Sequence, residues 1–214
     1  MDLSLLISLA IIHSLALASP GPDFALVVKM ASQESRTTAL AAAFGISFAI
    51  LFHTLLSLTG VSLIIKSSES LFFIVQLFGA GYLAWIGLTA LKETKHHWKT
   101  QESVIALEEK PMNLTPTTGF KQGFYTNLLN PKAMVFFITL FSAMITPEVN
   151  LATKVAAAGI ILILSIAWFS AIALVLSKPV IQQKIKKMTP IINLLTGILF
   201  LTVAIAIISG LFKH

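Results

Sequence analysis

Cysteine is absent from the 214 residues, which excludes disulfide bonds, thiol redox chemistry and thiolate metal sites. Charged residues are also scarce, because Asp, Glu, Lys and Arg make up 11% of the chain, against about 25% in a typical soluble domain. Hydrophobic residues make up 56%. The composition therefore excludes a soluble globular protein and predicts an all-α polytopic membrane protein.

Motifs for common enzyme chemistry are missing as well. The sequence has no phosphate-binding loop, no zinc-binding motif and no nucleophile elbow. We therefore predict neither an enzyme nor a resident metal or cofactor. The net charge of +6 could indicate a nucleic-acid partner, but its distribution along the chain indicates membrane topology instead, and we predict no nucleic-acid binding.

Six apolar segments follow one another along the chain, each long enough to cross about 30 Å of hydrocarbon. They cover approximately residues 3–28, 39–65, 70–91, 122–146, 151–177 and 189–212. The first could be a cleaved signal peptide, since Ala16-Leu17-Ala18 resembles a cleavage site. No Lys or Arg precedes it, however, and Pro20 and Pro22 follow directly, so we expect a retained helix within one domain, 1–214.

The basic residues between these segments are distributed unequally. With six crossings, one side of the membrane receives eleven Lys and Arg residues: Lys29, Arg36, Lys92, Lys95, Lys99, Lys110, Lys121, Lys178, Lys184, Lys186 and Lys187. The other side receives only Lys66, Lys154 and Lys213. The positive-inside rule places the lysine-rich side in the cytoplasm, so both termini are predicted to be periplasmic.

One long polar connection, residues 92–118, divides the chain into two halves. Its charged, proline-containing sequence is typical of a flexible cytoplasmic linker. Three helices precede it (repeat one, 1–91) and three follow it (repeat two, 119–214). Because three is odd, the halves must have opposite orientations, and we predict two inverted three-helix repeats, each with a proline-broken first helix.

The two helix breaks hold the candidate site. Proline removes a backbone donor and clashes with the preceding turn, so both first helices must open at their prolines. Non-helical backbone inside a membrane is tolerated only within protein or beside a wet cavity. We therefore predict a substrate-binding site formed by both breaks: Ser19, Pro20, Gly21, Pro22, Asp23, Asn127, Asn130, Pro131 and Lys132. Two simple proline kinks are the alternative.

Two ionisable residues lie beside these breaks, although a lysine in the membrane costs roughly 2.5–3.5 kcal/mol on insertion scales. We expect Lys132 to face a carboxylate, and Asp23 to face an ammonium group or to carry a proton. A salt bridge between Asp23 and Lys132 that only joins the halves is the alternative. His53, inside the second segment, could relay protons or could donate a single interhelical hydrogen bond.

The same residues carry a resemblance to a known family. Ser19-Pro20-Gly21-Pro22-Asp23-Phe24, Gly81-Tyr82-Leu83 and the stretch from Thr126 to Ala133 resemble signatures of the LysE/RhtB superfamily of amino-acid exporters. Ala167-Trp168-Phe169 is most similar to its threonine and homoserine efflux branch. The resemblance runs along nearly the whole chain. It implies export of small amino acids, exchanged for protons, across the bacterial inner membrane.

Together these observations predict a secondary active transporter that exports small amino acids by proton antiport with alternating access. Asn127, Asn130 or Ser19 would bind the hydroxyl of a threonine-like substrate. Two alternatives remain open, a divalent-cation exporter of the same superfamily and a passive small-solute channel. The predicted partners are the amino acid, protons and the lipid bilayer, and the oligomeric state is left open, a homo-oligomer included.

Overall fold

The computed structural model describes residues 1–100, 113–145, 148–175 and 179–212, and every regular element in these ranges is an α-helix. The all-α prediction is therefore confirmed for the described residues. In chain order the helices are α1 Leu3–Ala18, α2 Pro22–Gln33, α3 Arg36–Ser67, α4 Glu69–Thr100, α5 Pro116–Leu128, α6 Pro131–Met144, α7 Leu151–Val175 and α8 Pro179–Leu211.

Four of these helices, α3, α4, α7 and α8, are long and apolar enough to cross a membrane. The remaining four form two bent pairs. The α1–α2 pair is bent by 59° and the α5–α6 pair by 57°. Both helix breaks predicted from the prolines are present, and the number of spans reaches the predicted six when each bent pair counts as one.

Contacts between helix ends agree with six alternating crossings. In that arrangement the first and fifth spans begin on the same face, and the Asp2 backbone N–H, just before α1, donates to Thr153 Oγ1 in α7 at 3.1 Å. The turn after the first span and the start of the fourth share the opposite face, where Leu114 N–H donates to Glu34 Oε2 at 2.9 Å. Which face is cytoplasmic stays a prediction.

Helix α3 lies at the centre of the molecule and packs against α2, α5, α6 and α7. Its closest neighbour is α5, because glycines let the two backbones meet. A Cβ on Gly45 would lie 2.1 Å from the Phe120 carbonyl oxygen, and a Cβ on Gly123 would lie 2.1 Å from that of Ala42. Small residues allow such close approach between membrane helices. This contact holds the α5 half of one broken span against the core.

The connection between the halves differs from the prediction at both ends. Helix α4 continues to Thr100 and α5 already begins at Pro116, so the outer parts of the predicted 92–118 linker are helical. Residues 101–112 lie outside the described residues. Each half consists of one broken helix followed by two long ones, and the inverted relation between the halves remains a prediction.

Candidate functional site

The first helix break spans Ser19 to Gly21. Helix α1 ends at Ala18, and Ser19 has an extended conformation, with φ −62° and ψ 126°. Pro22 then begins α2 at its first position, where the missing N–H would have had no helical partner. The break therefore turns the chain by 59° within three residues and points the N-terminus of α2 at the bend.

The second helix break spans Leu129 and Asn130. Asn130 caps α6, because its Oδ1 accepts a hydrogen bond from Lys132 N–H at 3.0 Å. Pro131 occupies the first helical position, as Pro22 does in α2. The N-terminus of α6 therefore also begins at a bend, and unpaired N–H groups at such a terminus favour an anion.

Side chains of each break bind the other. Asp23 Oδ2 accepts hydrogen bonds from Asn127 Nδ2 at 3.0 Å and from Asn130 Nδ2 at 3.1 Å. In the reverse direction, Lys132 Nζ donates to Ser19 Oγ and, at 3.1 Å, to the carbonyl oxygen of Pro20. The structure therefore brings together two stretches that lie more than a hundred residues apart in sequence.

A cavity of about 60 Å³ lies where the breaks meet. A single water needs roughly 10–15 Å³ of such space, so the cavity suits several waters or one small solute. Its polar lining residues are His13, Ser19, Asp23, Asn127, Asn130 and Lys132. Phenylalanines line much of the remainder: Phe24, Phe136, Phe137, Phe169 and Phe200. Lys132 Nζ lies 5.5 Å from the centre of the Phe200 ring, a favourable position for a cation.

The predicted site residues have two kinds of position. Ser19, Gly21, Asp23, Asn127, Asn130 and Lys132 line the cavity, whereas Pro20, Pro22 and Pro131 shape the backbone around it. His53 is not among the lining residues. Its Nε2 lies 3.2 Å from the Asn127 carbonyl oxygen, and its ring stacks on Phe137 with 6.1 Å between centres. His53 therefore lies next to the site and contacts two of the residues that line it.

His13 and the phenylalanines were not predicted as site residues. His13, Ala16 and Leu17 share one face of α1 that leads directly to the break, so this helical spacing could have indicated His13. Phe169 and Phe200 come from α7 and α8, and no local sequence signal distinguishes them from core residues. Only the packing of all six spans brings them to the cavity.

Comparison with known proteins assigns the family. The family model described as LysE type translocator matches residues 14–210, which include both breaks and every predicted site residue. The chain belongs to the LysE type translocator family. The resemblance seen in the sequence is thereby confirmed, and the protein is a multi-pass membrane translocator of the exporter type.

Several curated relatives of this translocator cover almost its whole length. It is 29% identical over 198 residues to the threonine efflux protein of Escherichia coli (strain K12), covering 92% of this chain and 94% of the relative. It is 30% identical to the threonine efflux protein of Salmonella typhi over the same shares of both chains. An uncharacterized membrane protein of Haemophilus influenzae is 25% identical over 92% of each chain. No solved structure matches the chain.

Proposed function

We propose that this translocator exports small zwitterionic amino acids of the threonine and homoserine type by proton antiport with alternating access. The observation that carries the proposal is one small cavity, at the meeting point of two broken helices, with a lysine and an aspartate among its lining residues. A free amino acid carries one group for each of these charges. The threonine efflux relatives support the same substrate class.

The carboxylate of the substrate would bind at the N-terminus of α6. Lys132 Nζ and the positive end of the α6 dipole meet at one point, and Ala133, which lines the cavity, has the first backbone N–H of α6 that is not bonded to Asn130. Lys132 would give up its hydrogen bonds to Ser19 and Pro20 for the charge-assisted bond to the substrate. Binding would thereby remove one of the two sets of bonds that join the helix breaks.

The ammonium group would bind at Asp23 and Asn127. Asp23 Oδ1 and Asn127 Oδ1 are buried acceptors without a hydrogen-bond partner among the described residues. A buried acceptor left unpaired costs roughly 1–3 kcal/mol, which a substrate N–H would offset. The two residues are already held together by the bond from Asn127 Nδ2 to Asp23 Oδ2. An ammonium group with three donors fits this pair of oxygens.

Proton coupling would follow from the use of one carboxylate for two purposes. Asp23 cannot hold a proton on its free oxygen and pair with a substrate ammonium group at the same time. Release of the amino acid on the outside would let Asp23 take up a proton, and release of that proton inside would restore the site. His53, bonded to the Asn127 carbonyl, would assist this proton transfer. Rocking of one half against the other would expose the site alternately.

Counterflow in proteoliposomes with a panel of labelled amino acids tests the proposal. We expect saturable exchange of threonine, homoserine and other small amino acids. Lys132→Gln should lower the exchange rate by roughly 10- to 100-fold, because a charge-assisted hydrogen bond to the carboxylate is lost. Lys121→Gln is the matched control, since it removes an exposed lysine from neighbouring α5 and should leave exchange unchanged.

Three outcomes would contradict the proposal. Absence of exchange for every amino acid, together with flux of a divalent cation such as Mn²⁺, would favour a cation exporter. Amino-acid flux that does not saturate and does not respond to a pH difference would favour a passive channel. Equal exchange by Lys132→Gln and the intact protein would exclude the carboxylate site at α6.

A further inference from the structure

His13 is the polar cavity residue that the proposed zwitterion site does not use. It lies on α1 and is 2% exposed. Its Nε2 is 2.9 Å from Ser165 Oγ on α7, and its ring centre is 5.8 Å from that of Phe137. His13 is therefore held between two helices while it lines the cavity.

The hydrogen bonds of Ser165 determine which ring nitrogen of His13 carries the proton. Ser165 Oγ donates its only hydrogen to the Ile161 carbonyl oxygen, at 2.7 Å. With that hydrogen on Ile161, Ser165 Oγ accepts from His13, and the Ile161 carbonyl oxygen is a second acceptor for the same ring, so Nε2 is the N–H donor. In a neutral imidazole, Nδ1 is then an acceptor with a free lone pair. His13 Nδ1 is buried and has no hydrogen-bond partner in the described part of the chain.

The other polar atoms of the cavity have partners or an assigned group. Ser19 Oγ accepts from Lys132 Nζ, and Asn130 uses its amide nitrogen for Asp23 and its oxygen for the cap of α6. The free oxygens of Asp23 and Asn127 are the acceptors proposed above for the ammonium group. Among the buried cavity atoms without a partner in the described residues, His13 Nδ1 is the one that the ammonium group does not use, and a hydroxyl on the substrate side chain supplies a donor for it.

We propose that His13 Nδ1 accepts a hydrogen bond from the side-chain hydroxyl of the amino acid, and that Ser165 and the Ile161 carbonyl together hold the tautomer that makes this possible. The inference rests on the proposed function and names the group that selects hydroxylated substrates. The adjacent ring of Phe137 limits the competition from water, so the hydrogen bond distinguishes substrates more strongly than in an open site. A substrate without the hydroxyl leaves Nδ1 unpaired.

Threonine and valine are the appropriate test pair, because they have nearly the same shape and differ by a hydroxyl against a methyl group. The measured quantity is the ratio of their counterflow rates at low concentration, in proteoliposomes with the full-length protein. His13→Gln keeps an amide near the Nε2 position, next to Ser165, and removes the acceptor at Nδ1. We expect it to lower the threonine-to-valine ratio by roughly 3- to 10-fold, the range for one hydrogen bond.

Two further variants separate recognition from packing. His13→Asn places its side-chain oxygen near the former Nδ1, because both atoms are bonded to Cγ, and should keep the ratio within about 3-fold of the intact protein. Ser165→Ala removes one of the two acceptors that hold the tautomer and should raise the KM for threonine, while that for valine is unchanged. A purely structural role of His13 would not move the threonine and valine rates differently.

An unchanged ratio in His13→Gln, with valine exchange intact, would overturn the inference and leave amino-acid export standing. Equal loss of threonine and valine exchange in both His13 variants would also overturn it, since His13 would then contribute to folding or to the ammonium site. Absence of any amino-acid exchange by the intact protein would instead refute the proposed function itself.

Discussion

The two carboxylate oxygens of Asp23 have different surroundings. A substitution can therefore remove the charge of Asp23 and keep its structural hydrogen bonds. Oδ2 accepts hydrogen bonds from Asn127 and Asn130, whereas Oδ1 is buried without a partner among the described residues. An asparagine at this position could keep both contacts with its single carbonyl oxygen. It could not take up a proton.

We therefore expect Asp23→Asn to fold normally and to retain threonine counterflow at a reduced rate, but to lose all stimulation by an imposed pH difference. The measurement is counterflow with and without that difference. Asp23→Ala is the informative comparison, because it leaves two amide groups without their acceptor at roughly 1–3 kcal/mol each, and should lower the thermal unfolding temperature in detergent. Full pH stimulation of Asp23→Asn would exclude Asp23 as the proton carrier.

Among single residues, the sequence indicates those site residues that interrupt the apolar pattern of a membrane segment. Asp23 and Lys132 stand out because an ionisable group beside a proline is unusual inside an apolar segment. Phe169 and Phe200 do not violate any pattern, and the position of His13 in an apolar helix does not reveal whether its side chain faces the cavity. Burial against other spans decides this, and it depends on tertiary packing.

Helix packing leads to a prediction at the scale of elements. Gly45 and Gly60 both belong to α3, but only Gly45 faces another backbone. An alanine Cβ at Gly45 would lie 2.1 Å from the Phe120 carbonyl oxygen, whereas one at Gly60 would meet nothing within 4 Å. Overpacking of this kind costs typically about 1–3 kcal/mol, and rigid backbone cannot move aside as a side chain can.

We expect Gly45→Ala to lower the unfolding temperature and the amount of protein in the membrane, because α5 must move away from α3. Gly60→Ala, the matched substitution in the same helix, should change neither quantity. Unfolding of the purified proteins in detergent, followed by tryptophan fluorescence, measures the difference. Equal unfolding temperatures for the two variants would show that α3 and α5 do not pack through Gly45.

Helix boundaries show what a single sequence predicts well and what it does not. Prolines located both breaks correctly, because the loss of a backbone donor acts locally. The charged residues after 91 predict a linker, yet α4 continues to Thr100. Lys and Glu are good helix formers, so polarity alone does not end a helix. Thr115 and Pro116 lie within the predicted linker, although they form the N-cap and first position of α5.

At the scale of the whole molecule, the site lies between the two halves. Asp23 in the first half binds Asn127 and Asn130 in the second, and Lys132 in the second binds Ser19 and Pro20 in the first. A substrate that occupies Lys132 and Asp23 therefore competes with bonds that join the halves. The substrate therefore interacts differently with a conformation that has these bonds and with one that lacks them. A ligand needs such a difference to shift the equilibrium between two conformations.

Exchange of one zwitterion for one proton also has a consequence for the energy of transport. Each cycle moves one positive charge inward, so a membrane potential of about 100 mV contributes roughly 2.3 kcal/mol, enough for an approximately 50-fold gradient of amino acid.

Inverted membrane vesicles with equal pH on both sides test this, since valinomycin and external potassium make the lumen positive. We expect threonine to accumulate in the lumen, with about 50-fold as the upper limit, and Asp23→Asn vesicles to show no accumulation. A passive channel cannot concentrate a solute without net charge, and an electroneutral exchanger does not respond to the membrane potential. Equal accumulation of threonine with and without valinomycin would therefore contradict one-for-one antiport.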